Sequence, residues 1–234
     1  MTKHTVSPTA EIYQLHTKPV RGVADTSVLI AEANHRIANN LSAVIGLVRM
    51  EAAAVGAQET MTGSDVRLLL EEIAARIDAV GVLHKMLAQQ PLQEAVDIGD
   101  YLRRVCAPLT SSLFGAKQLG LTQKFASDCL VSRDKVVSLA LIVNELVTNA
   151  SKYAHPAGVP GKVSVTCLRD ANGNLVLEVA DDGVGLPEGF DPETDGNVGL
   201  RLVRILCAQM DAELVFDSSS LGLCVQVVIP LSDR

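Results

Sequence analysis

One stretch of sequence, LIVNELVTNASKYAHP at 141–156, constrains the fold more than any other. It is typical of an apolar helix in which Glu145, Asn149 and Lys152, spaced four and three residues apart, share one face. A carboxylate, an amide oxygen and an ammonium group on one ridge can bind a cation and phosphates. A core helix with a solvated polar face has the same spacing, so this row alone leaves both interpretations open.

Two glycine-containing segments further along the chain favour the first interpretation. The alternating apolar run at 174–180 leads into DDGVGLP, so a predicted strand ends in an Asp-x-Gly-x-Gly sequence. Such a strand places a carboxylate where the backbone can approach a ligand closely. NVGLRLVRILCAQM at 197–210 then begins an amphipathic helix, whose first N–H groups are available to a phosphate. The order of the three segments is far more specific than any one of them.

Composition excludes several classes of protein. With 234 residues and 48% hydrophobic residues, the chain is long and apolar enough for a substantial core. Aromatic residues make up only 3% and Trp is absent, so that core has to be aliphatic. The formal net charge of −7 argues against nucleic acid as the main partner, although a nucleotide site on an acidic protein can be locally positive.

The cysteines and the apolar runs predict a cytoplasmic protein. Five scattered cysteines without a C-x-x-C pair favour reduced thiols over a disulfide framework or a zinc site. No apolar run reaches the length of a membrane span, and the first 22 residues lack the apolar core of a secretory signal. We therefore expect no membrane insertion.

The N-terminal part is predicted to be a tail at 1–24 followed by helices at 25–92. Apolar residues from Ile30 to Val55 recur with a period near 3.6, which indicates one long amphipathic helix. His35 points away from that apolar stripe and is expected to face solvent. A second helix, at 65–89, would complete an antiparallel hairpin. Its two apolar stripes require either a four-helix homodimer or packing on the following domain.

The C-terminal part, 93–234, is predicted to be an α+β two-layer sandwich with an antiparallel-leaning sheet. Asp97 or a neighbouring residue is expected to cap its first helix. The predicted elements are helices at 96–114, 134–153 and 198–210 and strands at 119–126, 129–132, 162–170, 174–182, 212–218 and 224–230.

These segments together resemble a two-component sensor histidine kinase over about residues 27–231. The C-terminal part resembles the GHKL, or Bergerat, ATPase fold: NELVTNASKY resembles its N box, DDGVG its first glycine box and VGLRLV its second. The N-terminal part, with EANHRIANNLS at 32–42, resembles the dimerisation and phosphoacceptor hairpin of the H-R-x-x-N-N type, which is related to the HWE kinases. The resemblance implies an ATP-dependent, Mg²⁺-dependent transferase that is itself a phosphoprotein.

The resemblance also implies roles for individual residues of the ATPase part. Asn149 would hold Mg²⁺ through its side-chain oxygen, and Lys152 would contact phosphate, although Lys152 also fits an ordinary surface lysine. Asp181 would accept a hydrogen bond from the adenine amino group. Gly183 and Gly185 would let the chain turn against the base.

The second glycine box and the start of the N box imply four more residues. Gly199 and Leu200 would offer backbone N–H groups to phosphate. Arg201 could assist them or be a surface arginine. Glu145 occupies the position of a water-orienting glutamate in other ATPases of this fold and of an asparagine in many kinases, so its role stays open.

His35 is the phosphoacceptor that the resemblance implies. Neutral imidazole is a competent nucleophile near pH 7, and its second nitrogen needs an acceptor that holds the tautomer. Glu32 and Asn39 are the helical neighbours within reach. Glu32 is preferred, because its carboxylate would also stabilise the cation that forms during attack.

Several departures from the family pattern keep alternatives open. Ala38 stands where lysine is usual, Asn197 stands two residues before Gly199 in a box that usually begins with a small residue, and the loop at 186–198 is short. The Trp-x-Glu element of true HWE kinases is absent.

The main prediction is autophosphorylation and transfer to a response regulator receiver domain, with a separate input protein possible. The alternative is a histidine phosphotransferase or response-regulator phosphatase with a degenerate nucleotide site. An anti-sigma-type serine kinase is a third hypothesis, disfavoured by the hairpin that contains His35.

Overall fold

A computed structural model describes residues 45–46, 48–49, 52–53, 62–89, 95–110, 119–127, 129–156 and 159–230. The predicted tail at 1–24, Glu32, His35 and Ala38 lie outside these residues. Of the predicted first hairpin helix, residues 45–46, 48–49 and 52–53 are described, and they are helical.

Short polar side chains mark where two of the helices begin. The Asp97 carboxylate accepts a hydrogen bond from the Gly99 N–H at 2.8 Å and caps the predicted helix, as expected. The Asn197 side chain does the same for Leu200 at 2.9 Å. Within the described ranges from residue 62 onward, the helices are α1 (Gly63–Gln89), α2 (Ile98–Leu109), α3 (Arg133–Asn149) and α4 (Val198–Gln209), and a π-helical turn, Ala150–Ala154, continues α3.

The strands in the described part of the chain form two sheets. They are β1 (Ala95–Asp97), β2 (Leu119–Phe125), β3 (Leu130–Ser132), β4 (Gly161–Arg169), β5 (Leu175–Asp181), β6 (Glu213–Ser219) and β7 (Gly222–Ile229). The main sheet has the strand order β2-β4-β5-β7-β6. The pair β2–β4 is parallel and the other pairs are antiparallel, so this sheet is mixed. The second, two-stranded sheet pairs β1 with β3.

The core lies between one face of this sheet and helices α2, α3 and α4. Every second residue of the central strands is buried, and the residues between them are half-exposed, which is the pattern of a sheet covered on one face. Helix α3 contacts both α2 and α4. The buried apolar residues of the three central strands, β4, β5 and β7, are Val163, Val165, Cys167, Leu175, Leu177, Val179, Val225, Val227 and Ile229. The predicted α+β two-layer sandwich is therefore confirmed.

Helix α1 packs on α3 within the compact unit formed by residues 43–234. Val80 and Met86 are buried in the shared core, while other apolar side chains of α1, including Leu70 and Ile77, remain exposed. Packing on the following domain, one of the two predicted alternatives, thus covers only part of the apolar surface of α1. Although α1 has 27 residues, no helix in the described part of the chain is apolar enough over a sufficient length to cross a membrane.

Candidate functional site

A cavity of about 390 Å³ opens between the end of α3, the loop after β5 and the start of α4. Four of the residues predicted for the site line it, namely Asn149, Asp181, Gly185 and Leu200. Its volume is that of a small-molecule pocket, and an apolar wall with a few polar groups is typical of such pockets. Besides Leu200, the apolar lining residues are Leu146, Ala150, Ala154, Val179, Val184, Leu186, Pro187, Phe190, Phe216, Leu223 and Val225.

Asp181 is fixed at the end of β5, where the strand reaches the cavity. One carboxylate oxygen, Oδ1, accepts hydrogen bonds from the backbone N–H groups of Gly183 at 3.0 Å and Leu223 at 3.3 Å. Burial raises the pKa of Asp181, and these two N–H donors counteract part of that rise. A carboxylate held in this way in an apolar cavity can accept a hydrogen bond from the amino group of a bound heterocycle.

The two glycines after Asp181 are required by close backbone packing. Gly185 has a φ of 71°, and a Cβ there would overlap the carbonyl oxygen of Ser219. A Cβ at Gly183 would overlap the backbone of Ala154 in the π-helical turn. The adjacent Val184 N–H donates to the Ala154 carbonyl at 3.0 Å, which holds this loop against the turn. The glycines therefore let the loop pack against the protein itself, next to the cavity.

Asn149 and Asn197, 48 residues apart in sequence, meet at the cavity. The Asn197 amide nitrogen donates to the Asn149 side-chain oxygen at 2.9 Å, while the Asn197 oxygen accepts from the Leu200 N–H. The Asn197 side chain is thus hydrogen-bonded to two groups that are expected to bind a ligand, the Asn149 oxygen and the Leu200 N–H. In the sequence, Asn197 stands out only as a departure from the family pattern. Its place just before an amphipathic helix was a signal for an N-cap, but not for the bond to Asn149.

Glu145 does not line the cavity, although it lies on the helix that presents Asn149. Both of its carboxylate oxygens accept hydrogen bonds from the Arg76 guanidinium, at 2.6 and 2.8 Å. The side chains are only 7% exposed for Arg76 and 3% for Glu145. A Cβ at Gly199 would overlap the Oε2 atom of Glu145, so the carboxylate lies against the first turn of α4.

The residue pattern did not identify Arg76 as part of the site. It lies in α1, three residues after Ile73 and four before Val80, on the apolar face of that helix. A charged residue within an apolar stripe signals a buried partner, because an unpaired buried charge is strongly unfavourable. That signal does not identify the partner.

Besides Glu145, four described residues that were predicted for the site lie outside the cavity lining. Gly183 is buried after β5, and Lys152 is half-buried in the π-helical turn. Gly199 is buried in the first turn of α4, and Arg201 is exposed one residue past Leu200. His35 and Glu32 lie outside the described residues. Within the described ranges, no cluster of three or more His, Cys, Asp or Glu side chains could hold a metal.

Two family models match the chain. Residues 32–113 match the family described as histidine kinase, and residues 134–233 match the family described as histidine kinase-, DNA gyrase B-, and HSP90-like ATPase.

The chain is also similar to individual kinases. It is 28% identical over 217 residues to the sensor histidine kinase PdtaS of Mycobacterium tuberculosis. The aligned region covers 92% of this chain and 42% of PdtaS. It is 26% identical over 209 residues to blue-light-activated histidine kinase 2 of Erythrobacter litoralis, covering 88% of this chain and 58% of that protein. The chain thus spans about half the length of these curated relatives.

A solved structure supports the fold. The histidine kinase domain of a blue-light activated histidine kinase from Erythrobacter litoralis superposes with a TM-score of 0.62 and 23% sequence identity. The match covers 86% of this chain and 94% of that domain. At this identity the similarity is evidence for a shared architecture and not for shared details of the site.

Proposed function

Because the chain belongs to the histidine kinase family, we propose that it is an ATP-dependent protein kinase that phosphorylates its own His35 and passes the phosphoryl group to an aspartate of a response regulator. The observation that supports this most directly is the apolar cavity that joins Asp181 to Asn149 and the start of α4. We propose that residues 25–92 form the phosphotransfer hairpin and residues 93–234 the catalytic domain, with 1–24 as a tail.

In the proposed complex, adenine occupies the apolar cavity and the phosphates extend towards the start of α4. Asp181 accepts the adenine amino hydrogen, since its carboxylate is already fixed by two backbone donors. Gly199 and Leu200 supply backbone N–H groups at the positive end of the helix dipole, and Lys152 and Arg201 add positive charge. A phosphate at Leu200 has to replace the Asn197 oxygen that this N–H contacts in the ligand-free protein.

We assign Mg²⁺ to the Asn149 side-chain oxygen and propose that phosphate oxygens of the nucleotide supply further ligands to the ion. When bound, the ion would neutralise charge on the transferring phosphoryl group. Asn149 has the amide oxygen that such an ion accepts, and its position in the cavity lining supports the assignment. In the ligand-free protein this oxygen accepts the hydrogen bond from Asn197, which would compete with the ion for it.

In the proposed reaction, an imidazole nitrogen of His35 attacks the γ-phosphorus, a phosphorus–nitrogen bond forms and the bond to ADP breaks. Glu32 accepts the hydrogen bond of the other ring nitrogen, which holds the tautomer and stabilises the imidazolium. Glu145 is not available as a proton acceptor in the arrangement described above, because Arg76 occupies both of its oxygens.

The test is incubation with γ-labelled ATP and Mg²⁺, with His35→Ala and Asn149→Ala beside the wild type. We expect acid-labile, base-stable label on the wild type and none on either variant. His35→Ala should still bind ATP, because the proposed nucleotide site lies in the other half of the chain. Label that survives in His35→Ala, or that is stable to acid, would refute the assignment of the phosphoacceptor.

A second candidate is supported by the contacts of Asn197, which engage both Asn149 and Leu200 in the ligand-free protein. If ATP cannot displace Asn197, the chain is a histidine phosphotransferase or a response-regulator phosphatase. Such a protein would take no label from ATP but would exchange phosphate with a phosphorylated receiver domain.

We propose a cytoplasmic protein that forms a homodimer and receives its signal from a separate input protein. Exposed apolar residues along α1, including Leu70 at 59% exposure, support a second packing partner for this helix. The five cysteines all lie in the described part of the chain, and they are not joined in disulfides. Burial raises the pKa of Cys106 to about 12 and that of Cys207 to about 11, so these thiols stay protonated and poorly reactive at neutral pH.

A further inference from the structure

We infer that Arg76 is a positioning residue for the nucleotide: it neutralises Glu145 beside the start of α4, so that helix α1 helps to set the affinity of the site for polyphosphates. This inference rests on the proposed function, because it assumes that phosphates bind at the start of α4.

The contact between Arg76 and Glu145 has the geometry of a strong buried ion pair. Two parallel hydrogen bonds, of 2.6 and 2.8 Å, join the guanidinium to both carboxylate oxygens. The Asn144 amide adds a longer contact, 3.4 Å, to the Oε1 atom of Glu145. Since both side chains are almost completely buried, the charge of Glu145 depends on this arginine for its compensation.

The position of the pair relates it to the proposed phosphate site. Glu145 is one helical turn before Asn149 on α3, and its Oε2 atom lies against Gly199 in the first turn of α4. The carboxylate is thus close to both groups assigned to the phosphates and their cation, although it does not line the cavity.

Electrostatics predicts what happens when only the arginine is removed. A negative charge that is excluded from water and close to the start of α4 repels a polyphosphate, and the repulsion is weakly screened by solvent. With Arg76 present, the pair has no net charge. The loss of affinity should therefore increase with the number of phosphates on the ligand and disappear for adenosine.

The two side chains of the pair belong to different predicted domains, and a second consequence follows from this. Arg76 belongs to α1, in the predicted phosphotransfer hairpin, whereas Glu145 belongs to the predicted catalytic domain. A displacement of α1 from α3 would separate the charges and leave the negative one beside the nucleotide. Nucleotide affinity would then report on the packing of the hairpin helix.

The experiment measures, in the full chain, dissociation constants for adenosine, ADP and ATP with Mg²⁺ by calorimetry at one ionic strength. We expect Arg76→Met to weaken ATP binding about tenfold and ADP binding less, with adenosine binding unchanged. Adding Glu145→Gln to Arg76→Met should bring ATP affinity back to within about twofold of wild type, because the uncompensated charge is gone.

The matched control is Arg67→Met, which removes an exposed arginine–glutamate pair from the same helix. Arg67 contacts Glu71 at 2.9 Å, and this pair is 80% and 58% exposed, so its removal should leave all three affinities unchanged. Thermal melting verifies that each variant is folded at the temperature of the measurement.

Three results would overturn the inference: unchanged ATP affinity in Arg76→Met, an equal loss for adenosine and ATP, or no recovery in the double variant. If Arg76→Met does not fold, Arg76→Lys retains the charge without the two-bond geometry. It should give a smaller loss that still depends on phosphate number, and an equal loss for all three ligands would again contradict the inference. A wild-type chain that binds no ATP at all would instead refute the proposed function.

Discussion

Asp181 and Asp182 are neighbours in sequence whose carboxyl groups lie in opposite environments. Burial raises the pKa of Asp181, so the folded protein holds the proton of this group more tightly than the unfolded chain does. The pKa of Asp182 is lowered, chiefly by the Lys162 N–H at 2.7 Å and less by His155 at 2.9 Å. Ionised Asp181 therefore disfavours folding at neutral pH, whereas ionised Asp182 favours it.

We predict opposite stability changes for Asp181→Asn and Asp182→Asn at pH 7. Asp181→Asn removes a buried charge while its oxygen can still accept both backbone hydrogen bonds, so the melting temperature should rise even as nucleotide binding is lost. Asp182→Asn should lower the melting temperature. The difference should shrink as the pH falls, because Asp181 then becomes neutral first and the stabilisation by Asp182 is lost as it protonates in turn. Melting scans from pH 7 to pH 4 check this, and a destabilised Asp181→Asn would contradict it.

Asn197 leads to a second prediction for a single residue. Asn197→Ser keeps a side-chain oxygen for the Leu200 N–H but loses the amide that donates to Asn149. If that bond competes with Mg²⁺, the variant should reach half-maximal ATP binding at a lower Mg²⁺ concentration than wild type. Titration of Mg²⁺ against a fluorescent ATP analogue measures this.

The control for this prediction is Asn197→Ala, which loses both the donor and the helix cap. This variant should also reach half-maximal ATP binding at a lower Mg²⁺ concentration than wild type. Its free energy of unfolding should fall by about 1 kcal/mol, the usual effect of a lost N-cap. An unchanged Mg²⁺ requirement in Asn197→Ser would show that the hydrogen bond does not compete with the ion.

Among the helices, α3 and α4 depend on a glycine for their close approach. A Cβ at Gly199 would overlap the Glu145 carboxylate, which Arg76 already holds from the other side. Because the carboxylate has no simple way to move, the first turn of α4 can lie this close to α3 only with glycine at that position. The glycine of the predicted second glycine box thus has a packing role in addition to the proposed phosphate contact.

We predict that Gly199→Ala and Gly81→Ala change stability in opposite directions. Gly199→Ala should lower the free energy of unfolding by about 1–3 kcal/mol, the usual effect of overpacking, and should weaken ATP binding. Gly81 is a helical glycine in α1 with open space around it, so alanine there should stabilise by about 0.5–1 kcal/mol. Urea unfolding of the three proteins measures both changes, and a neutral Gly199→Ala would contradict the packing argument.

For the whole molecule, the question is how α1 covers its remaining apolar surface. Val80 and Met86 are buried in the core shared with α3, but Leu70, Ile77 and Val82 are exposed. Exposed apolar residues along one helix of a predicted hairpin are consistent with the proposed four-helix homodimer. The same helix would then contact the catalytic domain through one part of its surface and the second subunit through another.

We predict that Leu70→Glu converts a dimer into a monomer, because a charge in the middle of a helical interface cannot be compensated there. Size-exclusion chromatography with light scattering measures the change. Leu221→Glu is the control, since Leu221 is 83% exposed at the turn between β6 and β7. This substitution should leave the molecular mass measured by light scattering unchanged. A dimeric Leu70→Glu, or a monomeric wild type, would refute the proposed interface.

Much of the fold could be predicted because its signals are local. The periodicity of α1, the Asp97 cap and the hairpin of β4 and β5 each depend on a few neighbouring residues. The comparisons confirm the family and the fold class. The predicted helix 134–153 corresponds to α3 plus a π-helical turn, a change of hydrogen bonding that residue spacing does not signal. The roles of the site residues stay predictions.

The sequence by itself determined which side chains are available to the site, since Asn149, Asp181 and the glycines follow from helical spacing and from the Asp-x-Gly-x-Gly sequence. Only the tertiary structure decided how the polar row of α3 is divided: Asn149 lines the cavity and contacts Asn197, and Glu145 is buried against Arg76. The physical reason is the distance along the chain over which each feature is set. Helix spacing is set by residues within a turn or two, but the partner that neutralises a buried charge is chosen by packing between segments 69 residues apart.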